Sequence, residues 1–194
     1  MNSKYKVLKY RSNNTNEIDD SISIEEPLEI TIKFKNKKTW TKNTISITMR
    51  TPGNDEDLVR GFLFNERIIE KIEYIDKIES VGENVGQYNL KNKIIATINN
   101  SENVDIDKIK RNFLTNSSCG VCGKTSLDSL EIIKKDKILR STPKINHEII
   151  MKSPLMLRQN QSEFAKTGGI HASGLFDKKG NIIALREDVG RHNA

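Results

Sequence analysis

The chain has two cysteines, Cys119 and Cys122, in the stretch Ser118-Cys119-Gly120-Val121-Cys122-Gly123-Lys124. The thiolate is the nucleophilic form of cysteine, and a neighbouring cation such as Lys124 favours it. Gly120 and Gly123 give the backbone the freedom to present both thiols from a loop. Three chemistries come into question. A structural zinc site needs about four ligands, and none of His147, His171 and His192 is spaced as a second ligand pair. A disulfide switch usually places its first cysteine at a helix start, whereas Gly123 after the second cysteine argues for a loop. A persulfide carrier needs an accessible thiolate, a mobile loop and a cation to hold the charge. The residues meet these needs without excluding the disulfide switch.

Two further clusters carry functional side chains. Gly168-Gly169-Ile170-His171-Ala172 places a double glycine between a helix pattern and a strand pattern. Such a turn lets a phosphate or nucleobase approach the backbone; it is equally an ordinary helix end followed by a strand with one core histidine. Arg186-Glu187-Asp188-Val189-Gly190-Arg191-His192-Asn193 offers two guanidinium groups, each suited to bidentate phosphate binding. Glu187 and Asp188 could orient those arginines or accept from a guanine edge; a solvated charged turn is the plainer alternative. There is no Gly-x-Ser-x-Gly elbow of a serine hydrolase. Gly120-Val121-Cys122-Gly123-Lys124-Thr125 ends like a phosphate-binding loop, but its glycines are too close together.

The elements that must position these residues follow from periodicity. Residues 27–34 and 44–49 alternate apolar and polar, as half-buried strands do, and a lysine-rich hairpin loop separates them. Asn54 is a suitable N-cap. Asp55, Glu56 and Asp57 suit the positive end of a helix dipole, which predicts a helix over 55–66. Strands are expected at 75–81, 85–90 and 93–98, and a short helix at 126–133. Ser153-Pro154 reads as an N-cap followed by proline at the first helical position, with a helix running to Thr167 and stopping at Gly168-Gly169. A strand over 170–177, a turn at 178–181 and a strand over 182–185 complete the pattern. Residues 1–26 read as polar and irregular. Strands first, then helices mixed with strands, define an α+β or mixed α/β fold.

Bulk properties bound the function. The 194 residues carry a formal net charge of +6, with a pI near 9.2 and a mean hydropathy of -0.59. A basic chain favours anionic ligands. Its lysines are scattered without interleaved aromatics, so a nucleic-acid platform is not expected. No apolar run reaches membrane-helix length, and the N-terminus lacks the apolar segment of a signal peptide. A cytoplasmic location is therefore expected, where a closely spaced cysteine pair is redox, metal-binding or sulfur-handling.

In this order the blocks resemble the formate dehydrogenase accessory sulfurtransferase family (FdhD/NarQ). The resemblance rests on Arg50-Thr51-Pro52-Gly53-Asn54-Asp55-Glu56-Asp57-Leu58, the cysteine loop, Thr167-Gly168-Gly169-Ile170-His171-Ala172, and Arg186 to Ala194. It runs from about Glu25 to the last residue. It implies a cytidine-deaminase-like core, a mixed sheet flanked by helices, divided as a polar segment 1–26, a β-rich part 27–115 and a core 116–194. It implies that Cys119 carries a persulfide, with Cys122 as partner thiol. The sulfur would come from a cysteine desulfurase and go to the molybdenum or tungsten bis-guanine-dinucleotide cofactor that formate dehydrogenase requires. Gly168, Gly169, His171, Arg186, Arg191 and His192 are the residues expected to hold that cofactor. A homodimer is expected of the full-length form, and no resident metal. The deaminase relatives use His-Ala-Glu; here the stretch is His171-Ala172-Ser173, so zinc deamination is not expected. The family's chains continue past the Gly190-Arg191-His192-Asn193-Ala194 block, so a shortened chain is expected. The alternatives are a guanine-nucleotide or cofactor chaperone with a redox-gating cysteine loop, and a thiol–disulfide oxidoreductase.

Overall fold

The computed structural model describes residues 1–11, 13–36, 38–99, 104 and 144–194, with the backbone of Phe113–Leu114. The cysteine loop and the helix expected at 126–133 lie outside the described residues. In chain order the elements are β1 (Asn2–Arg11), β2 (Asn14–Ser23), β3 (Glu26–Asn36), β4 (Thr39–Arg50), α1 (Asp55–Asn65), a 3-10 turn (Ile72–Tyr74), β5 (Ile75–Val81), β6 (Lys93–Ile98), β7 (Phe113–Leu114), α2 (His147–Asn160), α3 (Ser162–Thr167), β8 (His171–Phe176) and β9 (Ile182–Asp188). They fall into two compact units, one built on residues 24–114 and one on 1–23 with 144–192.

The first unit is a five-stranded sheet in the order β5-β6-β3-β4-β7. β3 pairs antiparallel with β4 and parallel with β6, so the sheet is mixed. The alternation expected in β3 is present: Leu28, Ile30, Ile32 and Phe34 are buried along one face. Ile94, Ala96 and Ile98 of β6 continue the apolar layer. α1 adds Val59 and Leu63, one turn apart, with Ile68 and Ile69 just beyond it. Each such aliphatic side chain contributes about 1.5–3 kcal/mol on burial. Asn54 stands at the N-cap of α1, but its side chain makes no capping bond. The strand expected at 85–90 is instead a tight turn, because Val85 and Leu90 exchange both backbone hydrogen bonds, at 2.8 and 3.1 Å, and close the ring between them.

The turn between β4 and α1 is held by one buried side chain. Arg50, 1% exposed, donates from Nε and Nη2 to the two oxygens of Asp55, at 2.9 and 3.0 Å. Its Nη1 reaches the carbonyls of Glu26 and Pro27, and Nη2 also reaches Asn92 Oδ1 at 3.2 Å. All five guanidinium N–H groups thereby find acceptors.

The second unit departs from expectation at its start. Residues 2–23 form an antiparallel hairpin, β1 with β2, turning through Asn13 at φ 69°. Tyr10 donates its hydroxyl to Asn13 Oδ1, and Lys6 pairs with Glu17 at 3.0 Å. A second departure is the start of α2. Asn146, not Ser153, is the N-cap, and it accepts from Glu148 N at 3.0 Å. Pro154 therefore lies inside the helix, where it cannot donate to the Ile150 carbonyl. Ser153 Oγ takes that place at 2.8 Å, so the helix continues through the proline. It then breaks at Gln161, and α3 begins as a separate helix of six residues.

Candidate functional site

β8 and β9 form a two-stranded antiparallel sheet in which His171 opposes Asp188, Ser173 opposes Arg186 and Leu175 opposes Ala184. Opposed residues share a face, so His171 and Arg186 stand on the same face as diagonal neighbours, about 7–8 Å apart by strand geometry. Both are exposed. A shallow depression of about 280 Å³ adjoins Arg186, lined by Ser173, Leu175 and Ala184 among others.

The far end of this hairpin is closed by Asp177. Its carboxylate accepts from Lys179 N, Asn181 N and Asn181 Nδ2, each at 2.8 Å. The bond from the Asn181 side chain, followed by that from its backbone, holds the Asp177 carboxyl below the usual aspartate value. This is the turn expected from Lys178-Lys179-Gly180-Asn181.

All six residues expected to hold a cofactor lie at the opposite, open end. Gly168 ends α3 in the left-handed conformation, φ 68°, its N–H returned to the Phe164 carbonyl at 2.8 Å. A side chain is therefore disfavoured there. Gly169 is different. Among the described residues, the nearest heavy atom to a Cβ built on it is the Thr167 carbonyl oxygen, at 4.0 Å. Among the described residues, packing does not demand glycine at 169. Two residues later the chain enters β8 at His171. On the other strand Asp188, buried, accepts from Gly190 N at 2.7 Å, and Ala194 N donates to the Gly190 carbonyl. The resulting turn carries Arg191 and His192, both exposed.

Glu187 has a role that its sequence position did not disclose. Its carboxylate accepts from the amides of Glu163 and Phe164, both at 2.9 Å, and so caps α3 from the strand. It is committed to that helix and does not face the exposed side where Arg186 stands. Cys119 and Cys122 lie outside the described residues. Among the described residues no group of three or more His, Cys, Asp or Glu gathers as a metal site, and no helix is long and apolar enough to cross a membrane.

Fold and site thus define a mixed α/β chain with a glycine-entered sheet end that carries two exposed arginines. The FdhD/NarQ family model matches residues 24–194, and the chain belongs to that family. It is 44% identical over 177 residues to the sulfur carrier protein FdhD of Picrophilus torridus, covering 91% of this chain and 62% of that protein. The proteins of the same name from Sulfolobus acidocaldarius and Streptomyces coelicolor are 37% and 36% identical, over 98% and 97% of this chain and 65% of each relative. The chain therefore spans a little under two thirds of the length of these relatives. A crystal structure described as a formate dehydrogenase accessory protein, from Desulfotalea psychrophila, superposes with a TM-score of 0.65 at 21% identity, over 100% of this chain and 65% of that one. That likeness supports the mixed α/β fold expected from the sequence.

Proposed function

We propose that this chain is a sulfur carrier for formate dehydrogenase, loaded at Cys119 and serving an acceptor at the open end of the β8–β9 sheet. The thiolate of Cys119 attacks the terminal sulfur of a persulfide on a cysteine desulfurase. The donor's S–S bond breaks, its cysteine leaves as a thiolate, and Cys119 holds the new persulfide. Attack by the Cys122 thiolate on the inner sulfur then releases hydrosulfide and leaves a Cys119–Cys122 disulfide. The acceptor substrate is the guanine-dinucleotide form of the molybdenum or tungsten cofactor. We place this chemistry in the cytoplasm, in a homodimer of the full-length protein.

The observation that carries the reading is the family match over residues 24–194, which includes the cysteine pair. The open sheet end supports the acceptor's location. Arg186 and Arg191 suit the diphosphate, and among the described residues nothing comes closer than 4.0 Å to a Cβ built on Gly169, which leaves room for a phosphate to approach the backbone. His171 and His192 add donors at the same end.

The test is an intact mass after incubation with a cysteine desulfurase and cysteine. The expected product is heavier by one sulfur atom, located on Cys119, and returns to the starting mass with a thiol reductant. If no adduct forms while guanosine diphosphate still binds, the chain is a nucleotide-binding chaperone. If neither occurs but insulin is reduced, it is a thiol–disulfide oxidoreductase.

A further inference from the structure

The carboxylate of Glu187 links two parts of the open sheet end. Its two oxygens take the amides of Glu163 and Phe164, at the start of α3. Those are groups that a helix cannot satisfy from within, and a negative charge there is favoured by the helix dipole. Gln161, the N-cap residue of α3, makes no capping bond. The cap is thus imported from a strand 24 residues further along the chain. α3 has only six residues, and a helix so short does not hold itself.

Importing the cap has a geometric consequence. Successive side chains on a strand point to opposite faces. With Glu187 held toward α3, its neighbour Arg186 is turned to the outer face, the face of Ser173 and His171. The other end of α3 terminates in Gly168, from which the chain passes through Gly169 and Ile170 into β8 at His171. One carboxylate therefore fixes both the strand that carries Arg186 and the helix that leads into His171.

We propose that Glu187 is a positioning residue, tying α3 to the β8–β9 ladder whose register sets Arg186 and His171 on one face, and so holding both beside the Gly168–Gly169 entry to meet an anionic ligand together. The identity of that ligand rests on the guanine-dinucleotide reading above; the tether itself does not. Glu187→Gln keeps the size of the side chain but turns one acceptor into a donor facing an amide. Gln161→Asp, added to it, supplies α3 with a local cap from a favoured residue type and leaves the strand untethered. A purely structural cap is restored by this second change; a tether is not.

The full 194-residue chain is compared as wild type, Glu187→Gln and Gln161→Asp/Glu187→Gln by His171 ring NMR, thermal unfolding and calorimetric titration with guanosine diphosphate. In Glu187→Gln the His171 resonance shifts, and the nucleotide dissociation constant rises about tenfold, the order of one misplaced charge-assisted contact. In the double variant the midpoint of unfolding recovers, while the resonance and the affinity do not. An unmoved His171 resonance in Glu187→Gln overturns the proposal, as does full recovery of the resonance in the double variant. If Glu187→Gln alone does not fold, the double variant carries the same readouts against wild type. Wild type that fails to bind guanosine diphosphate removes the guanine reading, and the His171 resonance still decides the tether.

Discussion

Removing the carboxylate of Asp55 should destabilise the sheet unit by about 3 kcal/mol, close to the low end for breaking a buried ion pair. Arg50 is 1% exposed and Asp55 19%. The change Asp55→Ala takes away two charge-assisted bonds, of 2.9 and 3.0 Å, each worth about 1.5–3 kcal/mol. It leaves two guanidinium N–H groups facing a vacated site. The partial exposure of Asp55 lets water enter that site, which moves the expected cost from the top of the range to its lower part. Loss of the first-turn charge costs about 0.5 kcal/mol, and the better helix propensity of alanine offsets about the same amount. The exposed pair Lys77–Glu79 is the control. Its contact is shorter, 2.7 Å, but its side chains are 62% and 46% exposed, so Glu79→Ala should cost under about 1 kcal/mol. The assay is urea unfolding followed by fluorescence of Trp40, the chain's one tryptophan, which lies on β4 in the same unit. This avoids mixing in the second unit, which need not unfold with it. A cost for Asp55→Ala no larger than that for Glu79→Ala would refute the reasoning that burial, rather than distance, sets the value of the pair.

Other outcomes follow from the same structure. Gly174→Ala places a Cβ 2.7 Å from Leu157 Cδ1 and 3.0 Å from Phe176 Cε2, so it should cost about 1–3 kcal/mol by overpacking; Leu157→Ala in the same chain should return part of that in a thermal melt, and a strictly additive double variant would contradict the contact. Asp177 has a depressed folded pKa, so its contribution is present above the ordinary aspartate range and is lost as pH falls through the folded value, below that range; the protection of the Lys179 and Asn181 amides, taken relative to the intrinsic exchange rate at each pH, should fall there in wild type, and Asp177→Ala should show little protection at any pH. Cys119→Ala should abolish both the sulfur adduct and formate dehydrogenase maturation in a complemented host, with folded protein unchanged by circular dichroism. Lys124→Ala should raise the pH at which Cys119 is alkylated, measured as rate against pH.

The strands β3, β4, β6, β8 and β9, the helix α1 and the glycine stop at 168 were legible because each depends on local pattern. Leu28, Ile30, Ile32 and Phe34 alternate into a core, and Asp177 with Asn181 makes its turn from its own neighbours. The N-terminal hairpin was hidden because its apolar residues fall on both faces and both faces are largely exposed, and its central opposed pair, Val7 with Ile18, is only half-buried. Period-two burial is the usual signal, and here there is little burial to see. The start of α2 was misplaced because proline after serine is a frequent helix beginning; that Ser153 Oγ substitutes for the missing proline N–H is a property of the formed helix. At the candidate site the chemical types were legible, but their common location was not. It depends on the register that opposes His171 with Asp188. The task of Glu187 was beyond reach of pattern, since the amides it caps belong to another element.

The hairpin that gathers the site also bears on how the protein is made. Every residue assigned to the acceptor end lies in one short stretch, 168–192, joined by a tight turn. Contacts of such small sequence separation close with little loop entropy, and hairpins form in about 1–10 μs. The parallel pairing of β3 with β6 requires the intervening β4, α1 and β5 to be laid down first, and non-local pairing of that kind is slow. The hairpin at the acceptor end can therefore close early, before the slower pairing of β3 with β6 is complete.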